Sequence, residues 1–473
     1  MLWGIPGALA GALLAVRLGA AILWPLGLVA LALGILLLRR ARGVYALPLF
    51  LGLLLLRGAL LPYAVVAPGT YEVTGTVIDA PERERGRTAV ALFRVILDGQ
   101  RVPGVLELTV PFDADLAYGD ALTLKAMVRP DDRGAVRGMA SVLYGAEAAG
   151  KITVRQGHAP RLYGLALRWR ERLGQAADTL FGDNGGIAKG ILFGDRDDVH
   201  YLSFLAFRRS GMLHLLTVSG LHVGVVCGAA LQLIRGRRKW LRFLLSALVL
   251  LLFCLLTGLS PSSLRAAIML LVIRFSRLLD RQDDPISEIG CALTLLLLIN
   301  PSLLSASGFC LSFGSIWGLT CLTTPVLRLL RGRREGLGGL LAGAAAVFLS
   351  TMPLLSRTGG EVSWAGVFVS LLALPAAPLL LIPGWIAVLL HPLLPGAAKL
   401  VALLPQGALQ YLNALSELVP ASGLSLPAAN GLVLLLWFTG MLFVSEFFLP
   451  NRDRPAYLGW GLMATGALVW FLV

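Results

Sequence analysis

Long apolar segments separated by short basic loops dominate this sequence and restrict what it can fold into. Hydrophobic residues make up 57% of the chain and charged residues only 14%. A helix needs about 20 mostly apolar residues to cross a bilayer. The sequence therefore predicts a polytopic α-helical membrane protein with about 11–13 spans.

The basic loops also predict how the chain is oriented. Positive charges collect in the cytoplasmic loops of membrane proteins, so the net charge of +14 needs no nucleic-acid partner to explain it. We expect a multi-pass membrane protein whose basic loops face the cytoplasm. After residue 210 the candidate spans are 211–234, 241–257, 264–279, 286–299, 303–327, 337–355, 363–391, 400–419, 431–449 and 457–473.

The segment 68–157 interrupts this pattern with alternating runs typical of strands. The runs are 71–78, 88–97, 104–110 and 121–128, separated by turn residues such as Asp98-Gly99. They predict an inserted small all-β domain, resembling an OB barrel and lying outside the cytoplasm. An OB barrel binds single strands through basic and aromatic side chains. The candidates for DNA contact are Arg94, Arg101, Phe112, Tyr118 and Lys125; Tyr71, Phe93 and Tyr144 are further aromatic side chains available for stacking or for packing.

The remaining sequence falls into three parts. Residues 1–67 hold N-terminal transmembrane helices, in which Arg57 either reaches the membrane surface or faces the bundle. Residues 158–183 contain an amphipathic helix over Arg161–Phe181, placed either at the membrane interface or against the bundle. Residues 184–473 form the transmembrane core, and prolines between 375 and 383 predict a discontinuous helix there.

Polar side chains concentrate in the first half of that core. Ionisable groups are costly inside a membrane, and they usually face a protein interior or a water-filled path. The guanidinium group of Arg265 is suited either to binding a phosphate group or to holding Ser260 or a helix C-terminus in place within the protein. His214 and His222, eight residues apart on one expected helix, lack a third ligand for a metal. The candidates for lining or gating a path are Asp195, Arg196, His214, Thr217, Ser219, His222, Ser260, Ser262, Arg265, Phe309, Ser312 and Phe313.

Four ordered motifs in this region resemble the ComEC competence family. They are Gly190–Arg196 (GILFGDR), His214–Val223 (HLLTVSGLHV), Leu256–Ala267 (LTGLSPSSLRAA) and, after an Asn-Pro pair, Gly308–Phe313 (GFCLSF). The resemblance implies a channel that carries single-stranded transforming DNA across the cytoplasmic membrane during natural competence. It also implies a DNA receptor, a cytoplasmic helicase or ATPase and a separate nuclease as partners, besides the lipid bilayer.

The resemblance further implies that this chain is not itself an enzyme. Larger family members carry a metallo-β-lactamase-like domain after the core, and its His-x-His-x-Asp-His motif does not occur in this sequence. We therefore expect no catalytic residue, no metal site and no cofactor.

Two other functions remain open from the residues alone. One is transport or export of a smaller polar solute, which internal inverted repeats would favour. The other is an intramembrane serine hydrolase with Ser219 as nucleophile and a histidine base. Replacement of Ser219 by alanine would abolish a hydrolase, whereas a channel would tolerate it.

Overall fold

The computed structural model is mostly helical and contains a small β-barrel. It describes residues 10, 23, 25–31, 46–59, 66–78, 82–84, 87–111, 116, 118–130, 136–137, 140–149, 152–156, 161–232, 238–280, 284–330, 336–357, 364–418, 427–445 and 456–472. The chain forms two compact units. The first unit comprises residues 1–172, 247–279 and 290–306, and the second comprises residues 173–246, 280–289 and 307–473.

The β-barrel belongs to the first unit. Its strands are β1 (Gly69–Val77), β2 (Glu82–Glu84), β3 (Arg87–Leu97), β4 (Gln100–Arg101), β5 (Val105–Pro111), β6 (Ala121–Pro130), β7 (Val136–Arg137), β8 (Ala140–Ala148) and β9 (Thr153–Arg155). The four predicted runs are therefore strands. The pairings β1–β3, β3–β5, β5–β8, β8–β6 and β6–β1 close a cycle, and only β5–β8 is parallel.

Alternating apolar residues fill the barrel. Val73, Leu92, Leu108 and Leu124 are buried in one cluster with side chains from all five long strands. Asp98 and Gly99 both have positive φ and form the tight turn between β3 and β4. The sequence analysis did not identify β8, although this strand closes the cycle. Tyr144 of β8 is fully buried in the core, so it is not available for base stacking.

The helices follow the apolar segments. They are α1 (Ala46–Ala59), α2 (Arg161–Phe181), α3 (Gly185–Phe193), α4 (Tyr201–Arg209), α5 (Gly220–Gln232), α6 (Lys239–Leu256), α7 (Pro261–Leu278), α8 (Pro285–Ile299), α9 (Ser307–Leu329), α10 (Leu337–Ser356), α11 (Trp364–Ala373), α12 (Ala376–Leu390), α13 (Pro395–Glu417), α14 (Gly431–Val444) and α15 (Ala456–Leu472). Short 3-10 helices cover Gly182–Asn184, Met212–Leu216 and Pro301–Ser305.

Three helices among the described residues are long and apolar enough to cross a membrane: Lys239–Leu256, Ser307–Leu329 and Gly338–Ser356. In the second unit, small residues let neighbouring helices approach closely. A Cβ atom on Gly318 of α9 would lie 2.1 Å from Oγ of Ser350 in α10. Close backbone approach of this kind is how helices associate in lipid, where burial of apolar surface gives no driving force.

Two predicted spans are broken. The stretch 363–391 divides into α11 and α12, as its prolines predicted. The stretch 211–234 was expected to be one helix, and that expectation is wrong. It consists of the 3-10 helix Met212–Leu216, an extended connection and α5.

Arg57 in α1 faces the protein. Its Nε and Nη2 donate to the carbonyl oxygens of Leu298 and Ile299, at 2.9 and 2.8 Å. These two carbonyls end α8, where the last turn of a helix has no internal donors. The guanidinium therefore caps α8 within the first unit.

Candidate functional site

The break between the 3-10 helix and α5 forms the centre of the candidate site. Thr217 is extended, with φ −118° and ψ 134°, and α5 begins at Gly220. His214 and His222 thus belong to two different helical elements, contrary to the expectation that one helix carries both. Irregular backbone at membrane depth requires polar partners, because lipid supplies none.

Ser219 and His222 provide such partners at the start of α5. Oγ of Ser219 lies 2.7 Å from Nδ1 of His222, and the backbone N–H of Ser219 donates to the same nitrogen at 3.2 Å. This arrangement is one half of a capping box, in which the side chain of the third helical residue accepts from the N-cap backbone. His222 is only 1% exposed, so the cap is held inside the protein.

Arg196 stabilises the other side of the break. Its Nε donates to the carbonyl of Leu216 at 3.2 Å, and its Nη2 donates to Oγ1 of Thr217 at 2.6 Å. Leu216 is the last residue of the 3-10 helix, where carbonyls lack internal donors. One guanidinium therefore fixes both the end of the 3-10 helix and the extended residue after it.

Lys189 of α3 forms the charged part of the site. Its Nζ donates to Oδ2 of Asp178 at 2.9 Å and to Oδ2 of Asp198 at 2.5 Å. Burial lowers the pKa of Lys189, but the hydrogen bonds and charges of Asp198 and Asp178 more than offset this, and the pKa is raised above its ordinary value of 10.5. The lysine therefore stays charged and joins α2, α3 and the loop before α4.

Glycines bring these segments together. A Cβ atom on Gly186 would lie 2.1 Å from the carbonyl oxygen of Asp198. Gly194 ends α3 in the left-handed conformation, and a Cβ atom there would lie 3.0 Å from Cγ2 of Val218. The backbone of the loop after α3 thus packs directly against α3 and the extended connection. We call Lys189, Arg196, Thr217, Ser219 and His222 the polar junction.

The carbonyl of Gly211 connects α11 to the start of the 3-10 helix. Nδ1 of His214 lies 2.9 Å from this oxygen, and Oγ of Ser370 donates to it at 3.4 Å. A Cβ atom on Gly211 would lie 3.1 Å from Cα of Gly366. His214 and the half-buried Asp195 flank the polar junction within the second unit.

Three of the predicted path residues lie in the first unit, at the start of α7. Ser260 is the N-cap of this helix, and its Oγ accepts from the N–H of Ser263 at 3.3 Å. Ser262 is half-buried, and Arg265 is buried at 6% exposure. This serine group satisfies the first turn of α7.

Phe309, Ser312 and Phe313 lie in α9 of the second unit. The two aromatic rings are 4.7 Å apart between centroids, and both are buried. The carbonyl of Ser312 accepts from Oγ of Ser315 at 2.8 Å. The rings therefore pack on each other inside the protein.

The described candidate DNA contacts of the barrel lie on β3, β4 and β6 and in the turn before β6. Arg94 follows the exposed Phe93 at a β-bulge, where Thr74 pairs with Ile96 and Thr76 pairs with Phe93. The two-residue strand that pairs with the end of β3 holds Arg101, also exposed. Lys125 is exposed on β6, the half-buried Tyr118 lies in the turn before β6, and Phe112 lies outside the described residues.

Sequence reasoning missed the partners that hold the site together. Lys189 was not singled out, because a single lysine in an apolar helix has no recognisable motif. The spacing of Asp178 and Asp198 around it depends on the fold of α2 and α3. Among the described residues, no group of three or more His, Cys, Asp or Glu side chains is arranged to hold a metal ion.

Comparison with known proteins places most of this site inside a family match. The family described as Competence protein matches residues 191–449, which is more than half of the chain. "ComE operon protein 3" of Bacillus subtilis (strain 168) is 31% identical over 207 residues. That alignment covers 43% of this chain and 26% of the relative, so the chain matches about a quarter of the relative's length.

No solved structure matches the chain significantly. The family match extends from α3 into the segment after α14 and contains the break, its arginine and its serine–histidine cap. The expected family resemblance is thereby confirmed, and it is consistent with a membrane protein of DNA uptake: the chain belongs to the Competence protein family.

Proposed function

We propose that this chain forms a passage for single-stranded DNA through the bacterial cytoplasmic membrane during natural transformation. The observation that carries the proposal is the broken helix with Arg196, Thr217, Ser219 and His222, which lies inside the segment matched by the Competence family. Discontinuous helices with polar ends are a recurring way of building solute paths in membrane proteins.

The charges of the junction suit a scaffold for such a path. A strand of DNA is a polyanion and must be bound weakly enough to leave again. Lys189 is neutralised by Asp178 and Asp198, and Arg196 donates to Leu216 and Thr217. These two cations are paired within the protein and hold the backbone in place, so neither would bind a passing strand tightly.

The barrel is proposed to be an OB-like domain outside the cytoplasm. Its closed cycle of five long strands with one parallel pair supports that assignment. The exposed Phe93, Arg94 and Arg101 lie on the neighbouring strands β3 and β4, and they supply an aromatic ring and two positive charges to this part of the barrel. This combination is typical of surfaces that bind single strands.

The remaining assignments follow from the family and the charge pattern. About 11–13 spans with cytoplasmic basic loops would place the barrel outside. A receptor would deliver double-stranded DNA to the channel, and a separate nuclease would degrade the strand that does not enter. A cytoplasmic ATPase or helicase would pull the entering strand into the cell. In this proposal the chain conducts DNA and carries out no catalytic step of its own.

The test is DNA uptake by a transformable host from which this gene has been deleted. Labelled donor DNA is scored separately on the surface and in the cytosol, with the wild type, Arg265→Ala and Ser219→Ala as complementing alleles. The deletion strain should bind DNA normally and deliver none, and the wild type should restore delivery. Normal cytosolic label in the deletion strain would refute the channel and leave transport of a smaller solute as the better explanation.

One observation favours a second function, a serine hydrolase: Oγ of Ser219 lies within hydrogen-bond distance of His222. A fluorophosphonate probe separates the two functions. Labelling of the wild type but not of Ser219→Ala would support a hydrolase. A channel should show no such labelling and should keep DNA delivery in Ser219→Ala.

A further inference from the structure

The helix α13 carries an unusual polar stripe outside the polar junction. Gln406, Gln410, Asn413 and Glu417 are spaced by four, three and four residues. Since successive residues are about 100° apart around a helix, these four side chains fall within a sector of about 60°. At 23 residues, α13 is as long as α9, yet among the described helices it is not one of the three apolar enough to be candidate spans.

Two members of the stripe bind the corner between α2 and α3 within the second unit. Nε2 of Gln406 donates to the carbonyl of Leu180 at 2.6 Å. Nδ2 of Asn413 donates to Oδ1 of Asn184 at 2.7 Å. Gln410 lies between them on the same face, and its side chain is exposed.

Most of the remaining exposed residues of α13 are apolar. Leu400, Leu404 and Tyr411 are 71%, 52% and 43% exposed and lie about 80–120° around the helix from Gln410. Leu403 is 62% exposed and lies about 20° from Gln410, and Lys399 is exposed near the start of the helix. The polar stripe therefore lies along one edge of a largely apolar exposed surface.

The charges near its ends suit a helix that crosses the membrane. Lys399 and Glu417 are separated by about 27 Å along the axis at 1.5 Å per residue. This is close to the hydrocarbon thickness of about 30 Å. Gln410 then lies about 10 Å inside the level of Glu417. An amide exposed to lipid at that depth would lack hydrogen-bond partners and would be destabilising.

We propose that α13 crosses the membrane with its Gln406–Gln410–Asn413 stripe bordering a water-filled route, and that this route conducts the hydrated nucleic-acid strand. The second half of this inference rests on the proposed DNA channel. The first half does not, because water access to Gln410 is measurable without DNA.

Cysteine accessibility tests the inference directly. Gln410→Cys is made in a chain whose five native cysteines are replaced by alanine, and it is treated with a charged, membrane-impermeant maleimide. The matched control is Tyr411→Cys, at the same depth but about 100° around the helix; Leu404→Cys is a second control. Apolar surroundings that raise a thiol pKa by one unit leave about tenfold less reactive thiolate, so Gln410→Cys should label at least about tenfold faster than both controls.

The ends of the helix supply the second half of the experiment. Lys399→Cys and Glu417→Cys should be labelled from opposite sides of sealed vesicles. Labelling of both from the same side would place α13 on the membrane surface and overturn the inference. Equal rates for Gln410→Cys and Tyr411→Cys would also overturn it.

The two proposals fail in different ways. Fast labelling of Gln410→Cys together with normal DNA delivery in the deletion strain would keep the water-filled route and reject DNA as its cargo. Slow labelling together with absent delivery in the deletion strain would keep the DNA channel and remove α13 from its path.

Discussion

Nδ1 of His222 accepts from the backbone N–H of Ser219 at 3.2 Å and lies 2.7 Å from Oγ of the same serine. This pair begins α5 directly after the extended connection. A hydroxyl and an imidazole only three residues apart therefore meet because Ser219 is an N-cap and not an interior helical residue.

The cap predicts different outcomes for two substitutions of His222. His222→Leu replaces the buried imidazole by an apolar side chain of similar size and so removes the acceptor. Loss of such a cap costs about 0.5–2 kcal/mol. His222→Gln keeps an acceptor that a capping box uses, and should retain most of the stability. Thermal unfolding in detergent measures both, and equal midpoints for the two variants would argue against the cap.

The Arg196–Thr217 hydrogen bond predicts energetic coupling. Thr217→Val removes the hydroxyl with almost no change of shape. Hydrogen bonds to charged groups contribute about 1.5–3 kcal/mol, so a double-mutant cycle with Arg196→Gln should show coupling of roughly 1 kcal/mol or more. Additive effects of the two changes on the free energy of unfolding would show that the contact contributes nothing.

The Lys189 cluster predicts a defined pH dependence. The folded pKa of Lys189 lies above its ordinary value of 10.5, so the cluster stabilises the fold below pH 10.5 and its contribution is lost as the pH rises through the folded pKa. The difference in unfolding midpoint between the wild type and Lys189→Met should therefore stay constant from about pH 7 to 9. A difference that vanished within that window would contradict the raised pKa.

The close contact at Gly186 predicts a strong effect from one added methyl group. In Gly186→Ala the new Cβ would lie 2.1 Å from the carbonyl oxygen of Asp198, so backbone must move. The matched control is Gly220→Ala, where a Cβ atom has nothing within 4 Å. We expect Gly186→Ala to lose about 1–3 kcal/mol of stability, as overpacked sites do, and Gly220→Ala to lose clearly less. Similar expression levels and unfolding midpoints of the two variants would contradict the close contact at Gly186.

The barrel surface predicts a loss of DNA affinity without a loss of fold. Phe93 is 44% exposed on β3, and stacking of a base on an aromatic ring contributes about 1–3 kcal/mol. Phe93→Ala should weaken binding of single-stranded DNA by the full chain by roughly 5- to 150-fold. Val154→Ala, on β9 at 39% exposure, is the control and should bind nearly as the wild type does. Equal affinities for Phe93→Ala and Val154→Ala would remove Phe93 from the binding surface.

Several elements could be predicted because their signal is local. Period-two alternation identified β1, β3, β5 and β6, and three- and four-residue spacing identified the helix Arg161–Phe181. The four motifs identified the family. The strand β8 was not recognised because its residues, with Gly145 and three alanines, have a weak β pattern.

The sequence by itself determined the class of the protein, a helical membrane chain with a small β insert, and its family. These depend on the lengths of apolar runs and on the order of short motifs. Only the tertiary structure decided that 211–234 is broken, that Lys189 lies between Asp178 and Asp198, and that Gln410 is exposed beside two anchored amides. The physical reason is that a break in a helix is stable only where distant side chains satisfy its freed backbone groups, and no local pattern records which side chains those are.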